Sequence, residues 1–574
     1  MGEWQAASQL NPFYTTAFTS FEALGPAMRG LITIDNEGNW KADLGTEVPS
    51  ADNGGLVLAD GGDGFTVNVS LKPGLLWSDG EPLTMNDFKY TYDRAVQDAI
   101  GGAGCAGCAS FVPLIDPSIG ADTDGPDGPI VADLAATYAA DNQYVESITV
   151  SDDGASAAIV WKTNYAGWLG WVSTAPLPEH YFADIPTADS ATAMPVGPGI
   201  ENVPWSGPFK IVSASSEGID YERNDNWKAG DPAWLDGLRF RYYGDKAGMQ
   251  TAFLNGEIDI ALDMTQADFA AIEGVDPGVG VAKLDSVWQY EHLDLNVSHA
   301  DVGLAEPDVR KAIAMAIDKQ DLSNVLFPNA GVEPACSPAP PGTYWRIETE
   351  CPAFNVEGAN ALLDTAGWLV NDDPDTGTGL REKDVDGDGT NEQLRLKLCT
   401  SSGNPTRLTT MGKINQYLAA VGIPSDIQTA DAGSVYFAGW ADTTAKTECS
   451  IYRGTYDVAL FAYILGGDLY SNYYYTYHSS QIPSDANPNG SNDTRINDPE
   501  LDAALDDLGT LVDLDEQLAA AATVQTAYAA AIAEIPLYYR GEVTGIGNHV
   551  GGWLNYNPSS AGPTWDPEVW YFIP

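Results

Sequence analysis

Residues 64–94 decide the fold, and they read GFTVNVSLKPGLLWSDGEPLTMNDFKYTYDR. Apolar residues at 65, 67, 69 and 71 alternate with polar ones, which is the period-2 pattern of a half-buried strand. This strand is predicted to end at a turn over residues 72–74, and a second turn follows at 78–80. Thr84 can then cap a helix whose one side carries residues 87, 88, 91 and 92. The segment therefore predicts a strand, two turns and a helix in that order.

Size and composition indicate a folded protein with more than one lobe. The chain has 574 residues, which exceeds the usual ceiling for one hydrophobic core, so two or three lobes are expected. Hydrophobic residues make up 44% of the chain and charged residues 19%, a balance typical of globular proteins. No run of about eighteen apolar residues occurs, so the sequence predicts no membrane-spanning helix.

The charge balance is strongly acidic. Asp and Glu number 81 against 27 Lys and Arg, which gives a formal net charge of -54. Such a chain repels phosphate backbones and anionic lipid headgroups, and this excludes nucleic acid as a partner. We interpret the acid excess as a solvated surface suited to salty, calcium-rich or acidic surroundings, with a direct role in ligand capture as the alternative.

The first residues and the cysteines bear on location. Residues 1–3 lack the basic and apolar regions of a secretory leader, so either the protein is cytosolic or a leader and an anchor have been removed. The even number of cysteines favours the second option. We therefore expect an extracellular or periplasmic protein that is attached to a membrane only through a leader or lipid absent from this chain.

The six cysteines are predicted to form local disulfides. Their spacing favours the pairs Cys336–Cys351 and Cys399–Cys449. Cys105 and Cys108 have the spacing of a redox motif, but their Gly-Ala surroundings lack the strand and helix that a thioredoxin-like site needs. A small structural bridge is therefore favoured there, with redox chemistry or metal binding as the alternative.

An acidic loop is a candidate calcium site. Residues 384–392 read DVDGDGTNE, with oxygen ligands at loop positions one, three and five and glycine at position six. The candidate ligands are Asp384, Asp386, Asp388, Thr390 and Glu392. Position twelve is Arg395 rather than glutamate, so this is not a complete EF-hand loop, and a plain Asp-Gly turn is the alternative. Calcium at this loop would be a structural ion, and the sequence predicts no required cofactor.

Motifs for catalysis are missing from the sequence. It contains no G-x-S-x-G elbow, no H-E-x-x-H zinc helix and no Walker phosphate loop, and its five histidines are scattered. Carboxylate pairs are uninformative among 81 acidic residues. We therefore expect a protein that is not an enzyme.

Further elements along the chain resemble one protein family in the family's own order. The segment 64–94 resembles the signature segment of the extracellular solute-binding proteins that deliver peptides, and sometimes sugars or metal complexes, to ABC importers. Other matching elements lie at residues 205–212, 221–227, 250–259, 307–319, 361–368 and 404–423. The resemblance is to the oligopeptide-, dipeptide- and nickel-binding members.

The resemblance implies an α/β fold of the two-lobed periplasmic-binding-protein type, with an extra subdomain and hinge crossovers. Lobe I would comprise residues 1–52, 203–286 and 541–574. The extra subdomain, packed on lobe I, would comprise residues 53–202, and lobe II residues 287–540. Ligand would be enclosed between the lobes, and the closed form would be presented to a membrane permease.

The same resemblance and the aromatic residues give a predicted ligand site. A buried strand at 456–464 leads into a glycine-rich loop and a run of tyrosines, and flat aromatic faces with a few polar groups suit a concave site. The candidates are Phe13, Trp205, Trp288, Tyr290, Asn296, Tyr463, Asp468 and Tyr473. Arg29 and Arg310 are predicted to be structural.

Two departures from the dipeptide-binding members affect the predicted ligand. Those members use a tryptophan and an aspartate at the end of this strand, where this chain has Tyr463 and Gly466, and Asp468 substitutes only if the loop is longer. They also use an arginine where this chain has residues 400–402, Thr-Ser-Ser. Without this aspartate and this arginine, the site lacks the two charged groups that would recognise the termini, and so the fixed length, of a dipeptide.

Three classes of function therefore remain open. The first is a monomeric solute-binding protein for oligopeptides or, alternatively, for neutral oligosaccharides or another small solute. The second is a secreted hydrolase, for which no catalytic constellation is found. The third is a cell-surface or assembly protein that reuses the fold.

Overall fold

The structure is a computed structural model of the chain. It describes all residues except 8, 16–17, 101–143, 265–278, 328–331, 372–378, 438–447, 486, 488–489, 554–555 and 560–561. The chain divides into two compact units. Unit 1 comprises Met1–Val287, Thr510–Leu514 and Gly541–Pro574, and unit 2 comprises Trp288–Gly509 and Asp515–Arg540. The separate subdomain predicted at 53–202 stays a prediction.

Strands and helices are numbered along the described chain. The strands are β1 (Gly2–Glu3), β2 (Ile32–Ile34), β3 (Trp40–Ala42), β4 (Leu56–Leu58), β5 (Phe65–Ser70), β6 (Val145–Val150), β7 (Ser156–Trp161), β8 (Phe209–Ser215), β9 (Gly218–Arg223), β10 (Gly237–Tyr242), β11 (Ile260–Met264), β12 (Gly280–Leu295), β13 (Leu369–Asn371), β14 (Leu380–Lys383), β15 (Glu392–Gln393), β16 (Leu396–Ser401), β17 (Ser425–Ala430), β18 (Val458–Ile464), β19 (Glu534–Gly547), β20 (Val550–Gly551) and β21 (Tyr571–Phe572). The helices are α1 (Phe18–Leu24), α2 (Met85–Ile100), α3 (Trp168–Val172), α4 (Glu179–Phe182), α5 (Lys246–Leu254), α6 (Pro307–Ala316), α7 (Lys319–Leu326), α8 (Val356–Thr365), α9 (Pro405–Ala419), α10 (Leu469–Tyr477), α11 (Pro499–Gly509) and α12 (Leu514–Ala531).

The opening segment folds as predicted. Strand β5 buries Phe65, Val67 and Val69 and leaves the alternate positions more exposed. Helix α2 follows after the turns. At its start, the Thr84 Oγ1 accepts a hydrogen bond from the Asn86 amide at 3.2 Å. This contact satisfies one of the amide donors that a helix start otherwise leaves unpaired.

Most strands of unit 1 lie in two sheets, while β2 pairs with β3 and β20 with β21 in two further two-stranded sheets. In the first, the strand order is β11-β1-β10-β9-β8, with β1 parallel to β10 and β11, and with residues 543–546 of β19 paired to β11. The second is antiparallel in the order β4-β5-β7-β6. It contains the hairpin of β6 and β7, whose strands are joined by the turn at residues 152–154.

Unit 2 has a mixed sheet covered by helices. Its strand order is β17-β16-β18-β12-β19, with β16 parallel to both neighbours and β12 antiparallel to β18. Strands β12 and β19 each contain residues of both units. The core of unit 2 includes residues of α6, α8 and α9 against this sheet, among them Val309, Ile313, Leu363, Leu398 and Ile414.

One predicted helix is shorter than expected. Apolar periodicity predicts a helix over residues 307–319, but α6 ends at Ala316 because Ile317 is extended, with φ -91 and ψ 116. Asp318 then caps α7 by accepting from the Asp321 amide at 2.9 Å. The local capping preference of Asp318 competes with helix continuation at this point.

Two disulfides are present in the described residues. Cys336 bonds to Cys351, and Cys399 bonds to Cys449, each with a Cα–Cα distance of 5.4 Å. These are the two pairings that the sequence predicts. Cys105 and Cys108 lie outside the described residues. Among the helices in the described ranges, none has the length and apolar character needed to span a membrane.

Candidate functional site

The end of β18 combines aromatic side chains with an unpaired backbone edge. On one side, β12 pairs with β18 along its whole length, from Leu295↔Val458 to Gln289↔Ile464. On the other side, β16 pairs only with Val458–Leu460. Among the described strands, none pairs with residues 461–464 on that second side.

The register shows which backbone groups face the open edge. The Leu465 amide donates to the Trp288 carbonyl at 2.9 Å, so Leu465 and Trp288 form a hydrogen-bonded pair. In an antiparallel ladder such pairs alternate with non-hydrogen-bonded pairs, counted from that position. Ala462 and Ile464 fall at the non-hydrogen-bonded positions, and their N–H and C=O groups therefore point away from β12. Ile464 is exposed, and Ala462 is half-buried.

In β19, the strand on the other side of β12 from β18, a buried carboxyl accepts hydrogen bonds from three tyrosines. The hydroxyls of Tyr290, Tyr477 and Tyr528 all donate to Glu534 Oε2, at 3.4, 3.5 and 3.3 Å. The Tyr477 and Tyr528 rings stack with centroids 3.7 Å apart. Burial raises the pKa of Glu534 to about 8, even though the tyrosine hydroxyls favour its charged form.

A histidine and a second carboxyl lie in the same cluster. His292 and Asp294 are fully buried, and His292 Nε2 lies 3.4 Å from Asp294 Oδ1. Tyr463 stacks on the His292 ring at 4.4 Å and 9°, and Phe461 meets the same ring edge-on at 4.4 Å. Burial lowers the pKa of His292 to about 3. Burial, and then the charge of Glu534, raise the pKa of Asp294 far above its usual range.

The structure brings four of the predicted site residues into this aromatic region of unit 2. Tyr290 and Tyr463 have ring centroids 6.1 Å apart. Tyr473 stacks on Tyr477 at 5.8 Å, and Tyr477 in turn lies 3.2 Å from Tyr290 between hydroxyl oxygens. Trp288 is buried and meets Trp345 edge-on at 5.1 Å.

Two further predicted residues of unit 2 have structural contacts. Asp468 caps α10 by accepting from the amides of Tyr470 and Ser471, and burial raises its pKa to about 6. Asn296 is buried and donates to the carbonyls of Gly454 and Tyr456 at 3.0 and 3.2 Å. Ligand contact by these two side chains stays a prediction.

The remaining candidates, Phe13 and Trp205, belong to unit 1. Phe13 is buried in a short 3-10 helix that Asn11 caps. Trp205 is also buried, and its backbone amide donates to the Ser78 hydroxyl at 3.0 Å. Their roles in ligand binding stay predictions.

The acidic loop forms turns from its own carboxylates. Asp384 accepts from the amides of Gly387 and Gly389 at 2.7 and 3.0 Å. Its carboxylate lies close to those of Asp386 and Asp388 at an exposed position. Glu392 instead lies in β15 and accepts from the Val385 amide at 2.8 Å, and the Thr390 amide donates to Asp388 at 2.7 Å. Calcium binding stays a prediction for this loop.

No sequence motif marks the buried polar cluster. His292 is one of five scattered histidines, and neither Asp294 nor Glu534 belongs to a recognisable motif. The available signal is the alternation of Tyr290, His292 and Asp294 along β12, which puts three polar side chains on one face of a buried strand. Glu534 is far away in sequence, and only the fold brings it to that face.

The sequence of this chain matches a family of bacterial solute-binding proteins. A family model described as bacterial extracellular solute-binding proteins, family 5 Middle, matches residues 59–484. This match covers well over half of the chain, which therefore belongs to that family.

Named relatives and solved structures agree with this assignment. The oligopeptide-binding protein OppA of Mycobacterium tuberculosis (strain ATCC 25618 / H37Rv) is 26% identical over 462 residues, which cover 78% of this chain and 64% of that protein. OppA of Lactococcus lactis subsp. cremoris (strain SK11) is 24% identical over 340 residues, or 56% of this chain and 52% of that protein. This chain thus spans less than two thirds of the length of either relative.

The fold is that of solved ABC transporter binding proteins. The substrate-binding protein CtaP of Listeria monocytogenes superposes with a TM-score of 0.75 at 18% identity, covering 100% of this chain and 98% of that one. The oligopeptide-binding protein AppA of Bacillus subtilis, solved in complex with a nonapeptide, gives 0.69 at 19% identity with the same coverage. The predicted α/β fold of the two-lobed periplasmic-binding-protein type is therefore confirmed.

Proposed function

We propose that this chain is the extracellular solute-binding component of an ABC importer and that it captures an oligopeptide for delivery to a membrane permease. The observation that carries the proposal is the edge of β18 at residues 461–464, which no described strand pairs with on the side away from β12. An extended peptide can add to such an edge as an extra strand, with main-chain hydrogen bonds that do not depend on its sequence. The oligopeptide-binding names of the relatives support this choice.

Aromatic side chains around the edge supply apolar contacts for peptide side chains. Phe437 is exposed and meets Phe461 edge-on at 5.6 Å. Tyr463 is half-buried and lies on the edge segment itself. Flat rings next to open backbone groups suit peptides with varied side chains better than one fixed ligand.

The proposed ligand is a peptide of variable length. The loop after β18 carries Gly466, whose amide and carbonyl both bond to the Asn472 side chain, at 3.0 and 2.9 Å. Thr400 donates to the Leu460 carbonyl at 3.0 Å, at the place where dipeptide binders use an arginine. Neither position offers a charge to a peptide terminus, so recognition rests on the peptide backbone.

The remaining assignments follow from this role. We place the protein outside the cell or in the periplasm. It acts as a monomer whose protein partner is the permease. We assign it no catalytic step, since a binding component releases its ligand unchanged.

The test is ligand-induced thermal stabilisation of the full chain with peptides of increasing length, with matched peptides acetylated and amidated at their ends. We expect stabilisation by longer peptides and little effect of end-blocking. Stabilisation by neutral oligosaccharides alone would instead support the sugar-binding alternative. No stabilisation by any peptide would overturn the proposal.

A variant locates the binding edge. Ala462→Pro removes the amide that faces the open edge, while Ala462→Val keeps it and serves as the matched control. We expect peptide affinity to fall at least tenfold in Ala462→Pro and to change little in Ala462→Val. Equal affinities in two folded variants would place the peptide elsewhere.

A further inference from the structure

His292, Asp294 and Glu534 form a buried cluster of side chains of the types that bind metal ions. In this cluster, five buried atoms have no hydrogen-bond partner among the described residues: both ring nitrogens of His292, both carboxylate oxygens of Asp294, and Oε1 of Glu534. His292 and Asp294 have no exposed surface, and Glu534 is 5% exposed. Buried polar groups are normally hydrogen-bonded, so buried groups without a partner need a physical explanation, such as a bound ion.

The geometry matches a small coordination site. One donor atom from each of the three side chains lies within 4.8 Å of the other two. The His292 Nε2 to Asp294 Oδ1 separation is 3.4 Å. Ligands bound at about 2.1 Å to a tetrahedral zinc ion stand roughly 3.4 Å apart, so the histidine and aspartate already have the spacing of neighbouring ligands.

We propose that His292, Asp294 and Glu534 bind one divalent transition-metal ion of the zinc type. Imidazole nitrogen with carboxylate oxygen is a donor set that zinc accepts, whereas calcium and magnesium take six or more oxygen ligands. Two carboxylates and a neutral imidazole balance the charge of a divalent ion. A fourth coordination position is left for water or another oxygen donor.

The surrounding residues orient the proposed ligands. Glu534 Oε2 accepts from three tyrosine hydroxyls, which fix the carboxylate and leave its other oxygen, Oε1, without a hydrogen-bond partner among the described residues. Phe461 and Tyr463 hold the His292 ring between an edge and a face. Supporting contacts of this kind fix the orientation of metal ligands in proteins.

The exposed carboxylates at 384–388 do not make a comparable site. Asp384 already accepts amide hydrogen bonds from Gly387 and Gly389, and the three aspartates are open to water. The loop therefore provides a control cluster of metal-ligand residue types on the same chain.

The proposal is tested on the full chain by metal content and by titration. Protein is stripped with a chelator, incubated with Zn²⁺, desalted and analysed for bound metal, and Co²⁺ is used as a second probe because tetrahedral Co²⁺ absorbs visible light. We expect one ion per chain, a higher melting temperature with Zn²⁺, and a visible Co²⁺ spectrum. No bound metal and no stabilisation would overturn the proposal.

Substitutions assign the bound ion to the cluster. Asp294→Asn conserves shape and His292→Gln conserves polarity, and each is expected to weaken Zn²⁺ binding by more than about 100-fold, the upper end of the loss for residues that only support a ligand. A variant with Asp384, Asp386 and Asp388 all changed to Asn should bind Zn²⁺ like the unchanged chain.

The opposite pattern, in which binding survives Asp294→Asn and His292→Gln but is lost in the triple variant, would overturn the proposal. If one cluster variant fails to fold, the other and the stoichiometry of the unchanged chain still decide it. Peptide binding is a separate readout, since a chain that binds peptide but no metal would refute only the metal site.

Discussion

Arg381 is expected to be among the most sensitive positions for the stability of unit 2. It lies in β14 and is 1% exposed. Its guanidinium donates to the carbonyls of Val421 at 2.7 Å and Trp368 at 2.5 Å, and to the side chains of Asp364 at 2.7 Å and Asn360 at 2.6 Å. One side chain thus joins the hairpin of β13 and β14 to α8 and to the end of α9.

The magnitude follows from what Arg381→Ala leaves behind. The Trp368 and Val421 carbonyls would lose their charged donor in a buried place, and each unpaired buried acceptor costs about 1–3 kcal/mol. Asp364 is 57% exposed and regains water, so its ion pair adds little. We therefore expect a loss of about 4 kcal/mol, within the range for removing one partner of a buried charged network. Arg381→Lys keeps the positive charge but not the several N–H donors of the planar guanidinium, and we expect it to lose about half as much free energy of unfolding.

The assay is urea unfolding followed by tryptophan fluorescence. Arg395→Ala is the matched control, because Arg395 makes a two-bond pair with Asp426 at 2.8 Å while both side chains are about half exposed. That pair should contribute less than about 1 kcal/mol. Similar shifts in the urea midpoint for Arg381→Ala and Arg395→Ala, at an unchanged slope, would refute the reasoning.

Three other perturbations have defined outcomes. Replacing both cysteines of Cys399–Cys449 by alanine should lower the free energy of unfolding by about 4 kcal/mol, and the same change at Cys336–Cys351 should lower it by about 3 kcal/mol. The first loss is larger because the sequence separations are 50 and 15 residues. Equal losses in urea unfolding would contradict loop entropy as the cause. Asn296→Ala should cost about 2 kcal/mol, since it leaves two buried carbonyls without donors, and a loss under about 0.5 kcal/mol would show that water replaces the amide. Burial lowers the pKa of Lys319 from 10.5 to about 8, so the unfolded chain binds more protons between these values and the contribution of Lys319 to stability rises with pH there. Lys319→Met should remove that rise, and parallel stability curves for the two proteins from about pH 7.5 to 9.5 would contradict it.

Local sequence patterns predict the elements that depend on neighbouring residues. The alternation in β5 and the cap at Thr84 are short-range features, and both agree with the structure. The end of α6 is missed because apolar periodicity continues through Ile317, while the capping of α7 by Asp318 decides the backbone there. Apolar periodicity alone does not show whether helix continuation or capping by Asp318 is favoured at this point.

The candidate site is only partly predictable for a different reason. Tyr290 and Tyr463 are identifiable as aromatic candidates, but their pairing depends on the register of β12 and β18. Glu534 joins His292 and Asp294 only through the order of strands in the sheet. Contacts between residues that are distant in sequence leave no local pattern, so no reading of one segment predicts them.

The distribution of unit 1 over three segments sets the order in which the chain can fold as it is made. Unit 2 has all its residues once Arg540 has been added, whereas unit 1 still lacks Gly541–Pro574. Strand β11 therefore has one unpaired edge until its antiparallel partner at residues 543–546 has been synthesised. An unpaired strand edge can pair with other chains, so the risk of aggregation is higher until this last segment has been made.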